Sequence, residues 1–285
     1  MYQAKERGRN NFQFYSAEMN RITVERARLE KRLRRALENQ EFFLKYQPEV
    51  EIATGALKAV EAQLGWRDAE TGAIMPADFL RLAEENGSII QIGDWVLRRA
   101  LADLKAWREL GLDLQLALTI TARQLQHQDL VPDVSRALKD HAIEGPRVRI
   151  GIAEPALLQE SDAAERTLRS FRALGLQTAI DKFGTGYSSL GFVRRFAVHA
   201  VNIDKSLVSG CHNKRECAAI IGAVCVLAKN LGHIVVASGV DTAEEKAIVA
   251  ALGCDRAQGA LISRPLDWAQ IAALAGARTV AVPAE

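Results

Sequence analysis

Aromatic residues make up only 6% of this 285-residue chain. A nucleic-acid-binding face needs aromatics set among concentrated basic residues, so nucleic acid is set aside as a partner. A formal net charge of +2 selects no other partner by its sign. Four cysteines, Cys211, Cys217, Cys225 and Cys254, form no C-x-x-C pair and no signal-peptide pattern is present, which argues against disulfides and zinc and for a cytoplasmic location. Five histidines (His127, His141, His199, His212, His233) show no i, i+4 ligand spacing and are expected on the surface. No apolar run approaches the roughly 20 residues of a membrane span, so no membrane insertion is expected here, and any anchor is left to other parts of a longer parent protein. What remains is ample apolar material: 48% hydrophobic residues suffice for one large α/β barrel with an appendage.

Residues 1–15, MYQAKERGRNNFQFY, begin as if already inside a helix and read as the closing helix and strand of a preceding unit. Ser16 is expected to cap a linker helix over 16–40, with Ile22, Leu29, Leu33 and Leu37 as its apolar stripe. Ten Lys/Arg against five Asp/Glu in residues 1–40 make that helix a solvated one. From Phe42 the pattern changes. FFLKYQPEVEI and LKAVEAQLGW flank an Ala53-Thr54-Gly55-Ala56 turn and predict a hairpin. After a loop at 72–76, helices are predicted at 77–85, 89–110, 130–138, 163–174, 216–231 and 242–252, with strands at 114–120, 148–153, 177–181, 200–204 and 233–239. Repeated βα units of this number predict a parallel barrel with its chemistry at the strand C-termini. Trp66, Trp95, Trp107 and Trp268 are read as packing residues.

The sharpest local signal is IDKFGTGYSSL at 180–190, a strand end feeding a glycine turn with hydroxyls able to bond locally. It resembles the DDFGTGYSSL signature of EAL domains, bacterial phosphodiesterases of cyclic di-GMP and their inactive relatives, and the similarity extends over about 235 residues, from Phe42 to Gly276. The resemblance implies a modified TIM (βα)8 barrel with an antiparallel first strand. Residues 1–15 are similar to the closing segment of GGDEF domains, which implies the C-terminal part of a GGDEF–EAL protein. The domains expected are therefore a GGDEF remnant at 1–15, a linker helix at 16–40, a degenerate EAL domain at 41–276 and a tail at 277–285.

Metal-assisted phosphodiester cleavage needs hard oxygen ligands around divalent cations. The strand ends offer Glu61, Thr119, Gly151, Asp181 with Lys182, Asn202 and Ser238, only two of them carboxylates at metal positions. Set beside the family, Glu61 is the Glu of the name motif, here EAQ. Thr119 stands for a metal-binding Asn, and Gly151 for the first Glu of E-x-T-E, whose second, loop-supporting Glu is kept as Glu154. Lys182 replaces the second Asp, Asn202 the catalytic Lys, and Ser238 the Glu of AEGVE. An ammonium about 4 Å from a unit positive charge costs roughly 4 kcal/mol at an effective dielectric of 20, and about twice that against a divalent ion. Two placements are open for Lys182: inward, excluding Mg²⁺ and pairing with Glu61 or Asp181, or out to solvent.

These losses imply no metal, no cofactor and no phosphodiesterase activity. The expected function is a regulatory module of cyclic di-GMP signalling that acts through a protein partner with little or no nucleotide binding; the alternative is a metal-free cyclic di-GMP receptor. Ligand contacts compatible with the latter are Gln47, Pro48, Asp204, Asp241, Gln258, Arg264 and Pro265. Against it, Gly65 replaces a phosphate-neutralising Arg. A homodimer is expected through 184–196, with Glu154 bracing the glycine loop and Leu190, Phe192 and Val193 beside it.

Overall fold

The computed structural model describes residues 10–68, 71–185, 190–196 and 198–279, with the side chains of 10–19, 22, 190–192 and 276–279 left aside. In chain order the elements are α1 (Asn10–Ala36), β1 (Phe42–Glu51), β2 (Leu57–Asp68), β3 (Gly72–Ile74), α2 (Pro76–Asn86), α3 (Ile89–Glu109), β4 (Gln115–Ile120), α4 (Ala122–Leu125), α5 (Leu130–His141), β5 (Val148–Ala153), α6 (Glu154–Gln159) and α7 (Ser161–Ala173). They continue with β6 (Gln177–Phe183), α8 (Leu190–Arg195), β7 (Ala200–Ile203), α9 (Lys205–Val208), α10 (Arg215–Asn230), β8 (Ile234–Ser238), α11 (Ala243–Ala251), β9 (Arg256–Gln258) and α12 (Trp268–Thr279).

These elements form two compact units. The smaller comprises Met1–Phe43 and Gly65–Ser88. Its core is the aromatic trio Phe42, Trp66 and Phe79, whose ring centroids lie 5.5–6.0 Å apart, with Leu33 and Ala36 of α1 also buried. Arg32 pairs with the buried Asp68 at 2.9 Å. The second half of α1 is thus packed, where the charge pattern predicts a solvated helix. That helix starts at Asn10, so residues 10–15 are helical where a strand is predicted and Ser16 caps nothing; residues 1–9 of the expected remnant lie outside the described residues. The predicted loop at 72–76 holds β3, antiparallel to the end of β2. The unit also shows why Gly65 carries no side chain: the ring of Phe43 lies where its Cβ would stand.

The larger unit, Leu44–Leu64 with Ile89–Glu285, is a closed eight-stranded barrel. Strands β2 and β4 to β9 run parallel in sequence order. The first strand enters antiparallel against β9, with Val50 opposite Ala257, and its pairing with β2 closes the cylinder. The hairpin turn is the expected one: Gly55 takes φ +69° and Glu51 N–H donates to Ala56 O at 2.9 Å. β-Branched strands such as VRIGIA and AVNI are buried throughout, as strands covered on both faces must be. Helix α3 seals one side with Leu97, Leu101, Leu104 and Trp107, and Trp107 meets Tyr46 edge-on at 4.7 Å. Four of the five histidines expected at the surface, His127, His141, His199 and His233, are half-buried; His199 Nδ1 accepts from Thr178 N–H at 3.1 Å. The pattern also missed α4, α6, α8, α9, β9 and α12.

Candidate functional site

Parallel strands deliver their C-terminal residues to one end of the barrel, where a cleft of about 430 Å³ is lined by Glu61, Thr119, Asp181, Lys182, Asn202 and Ser238 among others. Six of the seven expected ligand contacts share it: Gln47, Asp204, Asp241, Gln258, Arg264 and Pro265. Pro48 does not line the cleft and is buried.

Asp181 is buried and both of its carboxylate oxygens are engaged. Thr119 Oγ1 donates to Oδ2 at 2.5 Å, and Asn202 Nδ2 donates to Oδ1. The carboxylate occupies the room left by Gly151, since a Cβ on Gly151 would stand inside the contact radius of Asp181 Oδ2. Glu61 is held differently. Gln258 Nε2 donates to its Oε2 at 2.6 Å and lies 3.3 Å from Ser238 Oγ. A carboxylate on one side demands the N–H end of each amide, so the carbonyl oxygens of Asn202 and Gln258 are turned away and have no partner among the described residues.

Burial, and then the charge of Asp181, push Glu61 up to about 7, against the bond from Gln258. Burial raises Asp181 as well, opposed by Thr119, Arg149, Asn202 and Lys182. Among the described residues neither acid has a cation in hydrogen-bond reach, and both are pushed toward the protonated form.

Lys182 takes the outward placement. It is exposed and makes no ion pair with Glu61 or Asp181 among the described residues, so the inward pairing is not what the structure adopts. Its backbone is unusual: φ is +53°, where the β6–β7 register shifts between Ile180 and Phe183. A further cation, Lys205, was missed in the sequence and stands at the rim, 2.7 Å from Asp241. That contact, with Ala260 N–H as a second donor, lowers the Asp241 pKa.

Glu154 does brace the glycine loop. It is buried, and its Oε2 accepts from Gly184 N–H at 2.8 Å. Gly184 has φ +100°, and a Cβ there would strike Leu207, so only glycine fits. Residues 186–189 and the side chains of Leu190 and Phe192 lie outside the described residues. Val193 is fully buried, which removes it from any surface patch.

This set does not fit a divalent cation. Three of four carboxylate oxygens accept hydrogen bonds, Gly151 offers no donor atom, and no group of three His, Cys, Asp or Glu able to hold a metal occurs among the described residues.

At the opposite end of the strands lies a cluster that the sequence reading passed over. Arg149 and Glu49 are both buried and doubly hydrogen-bonded to each other, and Arg256 reaches Glu49 at 2.9 Å. A charged residue inside the apolar run VRIGIA is the signal that could have revealed it.

Comparison with known proteins agrees with this architecture. The chain is 36% identical over 274 residues to the bifunctional diguanylate cyclase/cyclic di-GMP phosphodiesterase MucR of Pseudomonas aeruginosa, covering 96% of this chain and 40% of MucR. It is 34% identical over 266 residues to the cyclic di-GMP phosphodiesterase PdeR of Escherichia coli, covering 93% of this chain and 40% of PdeR. The chain thus spans about two fifths of the length of these relatives. The solved PaMucR phosphodiesterase in complex with c-di-GMP superposes with a TM-score of 0.82 at 36% identity, covering 86% of this chain and 99% of that one. No helix among the described residues is long and apolar enough to cross a membrane. The EAL domain family matches residues 30–265, and with the closed barrel and its antiparallel first strand in place, the chain belongs to that family.

Proposed function

We propose that this EAL domain is a module of cyclic di-GMP signalling that has lost phosphodiesterase chemistry and acts by contact with protein, as one part of a longer signalling protein. The observation that carries the reading is what surrounds Asp181: Thr119 and Asn202 donate to both of its oxygens in the space that Gly151 vacates. Two of about four lone pairs are thus taken by neutral donors, and the neighbouring strand ends supply a hydroxyl, an amide and a bare glycine where a divalent cation needs charged oxygen ligands. The cleft then lacks the charge that would acidify an attacking water.

A surface for protein contact is available on α10. Ile220, Val226 and Leu231 are exposed on and just beyond this helix, Val226 at 63%, with Ala219 and Ala223 exposed between them. A solvent-facing stripe of this kind is unusual on a helix that packs on a barrel. A homodimer through 184–196 stays part of this reading, without Val193, which is buried.

A metal-free receptor for cyclic di-GMP is the second reading, favoured by the assembly of Gln47, Asp204, Gln258, Arg264 and Pro265 around one cleft. Calorimetric titration with cyclic di-GMP, with and without Mg²⁺, alongside a hydrolysis assay, separates the readings. Neither heat nor linear dinucleotide is expected. Metal-independent binding without product establishes the receptor, and product above a metal-free blank that Glu61→Ala abolishes overturns both.

A further inference from the structure

Two thiols of the larger unit touch. Cys225 on α10 and Cys254 in the turn between α11 and β9 bring their Sγ atoms to 3.6 Å, and both side chains are buried. A disulfide needs sulfurs about 2.05 Å apart and Cβ atoms about 3.5–4.5 Å apart. A Cβ on the neighbouring Gly253 would stand 3.9 Å from Cβ of Cys225, so this turn passes within side-chain reach of α10. Gly253 has φ +94°, the reversal that delivers Cys254 under α10. The turn is pinned on both sides: Cys254 N–H donates to Val249 O at 3.0 Å, and Asp255 exchanges bonds of 2.9 and 2.8 Å with the backbone of Val235. The sulfurs have to close from 3.6 Å to bonding distance for the disulfide to form.

Either sulfur can donate to the other, so either thiolate can be the first to meet the oxidant, with the same disulfide as the product. Cys211 and Cys217 make no thiol contact of this kind among the described residues.

We propose that Cys225 and Cys254 are a reversible disulfide site, closed by a peroxide and opened by a dithiol. With Cys225 first, its thiolate attacks the peroxide O–O bond: an S–O bond forms, the O–O bond breaks, the sulfur is oxidised to sulfenic acid and the peroxide is reduced to water. Cys254 then attacks Cys225 Sγ; the S–S bond forms, the S–O bond breaks, and hydroxide leaves as water with the Cys254 proton. The bond staples α10, bearer of the exposed apolar stripe, to the turn that leads into Gln258 and the cleft.

The full chain is treated with hydrogen peroxide, unfolded, alkylated with a maleimide and mapped by mass spectrometry. Two of four thiols are expected to escape alkylation, with a mass loss of about 2 Da assigned to a Cys225–Cys254 peptide pair. Dithiothreitol restores all four. Cys225→Ser and Cys254→Ser each abolish the pair, and the Cys211→Ser/Cys217→Ser double variant retains it. The oxidised protein is expected to melt about 5 °C higher, since the bond closes a loop of about 30 residues in the unfolded chain. Four free thiols after peroxide and after diamide, a gain of about 32 Da on either cysteine without the pair, or a lowered melting temperature on closure would each overturn the proposal.

Discussion

At the N-terminal end of the barrel strands Glu49 is wedged between Arg149 and Arg256; at the C-terminal end Glu61 and Asp181 lie within each other's field, held by a threonine and two amides. Both clusters are desolvated and both are rich in hydrogen bonds. They titrate in opposite directions. Burial would raise Glu49, but the two guanidiniums overcome it and hold the pKa below the ordinary carboxylate range. The same penalty goes unanswered at Glu61, which rises to about 7. At Glu61 one amide donor does not offset burial and the neighbouring carboxylate, whereas two guanidiniums hold Glu49 ionised. In this chain Thr119, Asn202 and Gln258 hold the two acids with neutral donors, and Glu61 is pushed toward its protonated form.

The contrast is broken most strongly from below. Arg149→Met leaves Glu49 buried with Arg256 alone and also withdraws a cation whose field lowers Glu61 and Asp181. A loss of about 3–5 kcal/mol in urea unfolding is expected. Asp181→Asn at the upper cluster removes no cation's partner and should cost far less. Equal costs would sink the comparison. Next in size is Gly151→Ala, whose methyl group collides with Asp181 Oδ2 and should cost about 1–3 kcal/mol by overpacking. Asp181→Gly empties that space, so in the double variant the alanine should cost close to nothing; additive losses in that cycle would show that Asp181 does not fill the gap.

A pH titration of stability separates the clusters by sign. Glu61 has its pKa raised in the fold, from an ordinary 4.5 to about 7, so between those values the folded protein binds more protons than the unfolded one. Stability from this group is full below about pH 4.5 and is lost as pH rises towards 7. Glu49 is lowered; its contribution is present above the ordinary carboxylate range and is lost as pH falls through its folded pKa. Glu61→Gln should flatten the neutral-side slope and leave the acid-side one. Chemical denaturation from about pH 2 to pH 8 checks both, and an unchanged neutral slope in Glu61→Gln would refute the raised pKa of Glu61.

How much of this was legible beforehand follows from what a one-dimensional pattern carries. Alternating apolar strands and amphipathic helices are periodic signals, and the barrel, its irregular hairpin and nearly every strand end could be read from them. Glu61, Thr119, Asp181, Asn202 and Ser238 meet because strand C-termini must. What could not be read depends on contacts between distant residues. Gln258 bonding Glu61, Asp181 folding into the space at Gly151 and Arg149 crossing to Glu49 leave no periodic trace. Lys182 illustrates the limit. Its charge was readable and its direction was not, because that direction is set by a backbone bulge. Three-residue β3 and β9 are too short to show a period at all.

That bulge supports the smallest prediction. Lys182 has φ +53°, a region where the Cβ of an L-residue crowds its own backbone at a cost of roughly 1 kcal/mol. None of Glu49, Arg149 and Arg256 has positive φ, so of the two clusters the upper one alone sits beside backbone strain of this kind. Lys182→Gly relieves the strain and also deletes a cation that helps lower Asp181. Lys182→Ala deletes the cation and keeps the strain. The pair therefore divides backbone from charge: glycine should be more stable than alanine by about 1 kcal/mol, while both should show the same displacement of the neutral pH step to higher pH, because both raise the acids alike. Denaturant midpoints for the two variants at pH 5 and pH 8 decide it. If alanine matches glycine in stability, the left-handed backbone at 182 stores no strain; if the two differ in their pH step, Lys182 acts on Asp181 through shape and not through charge.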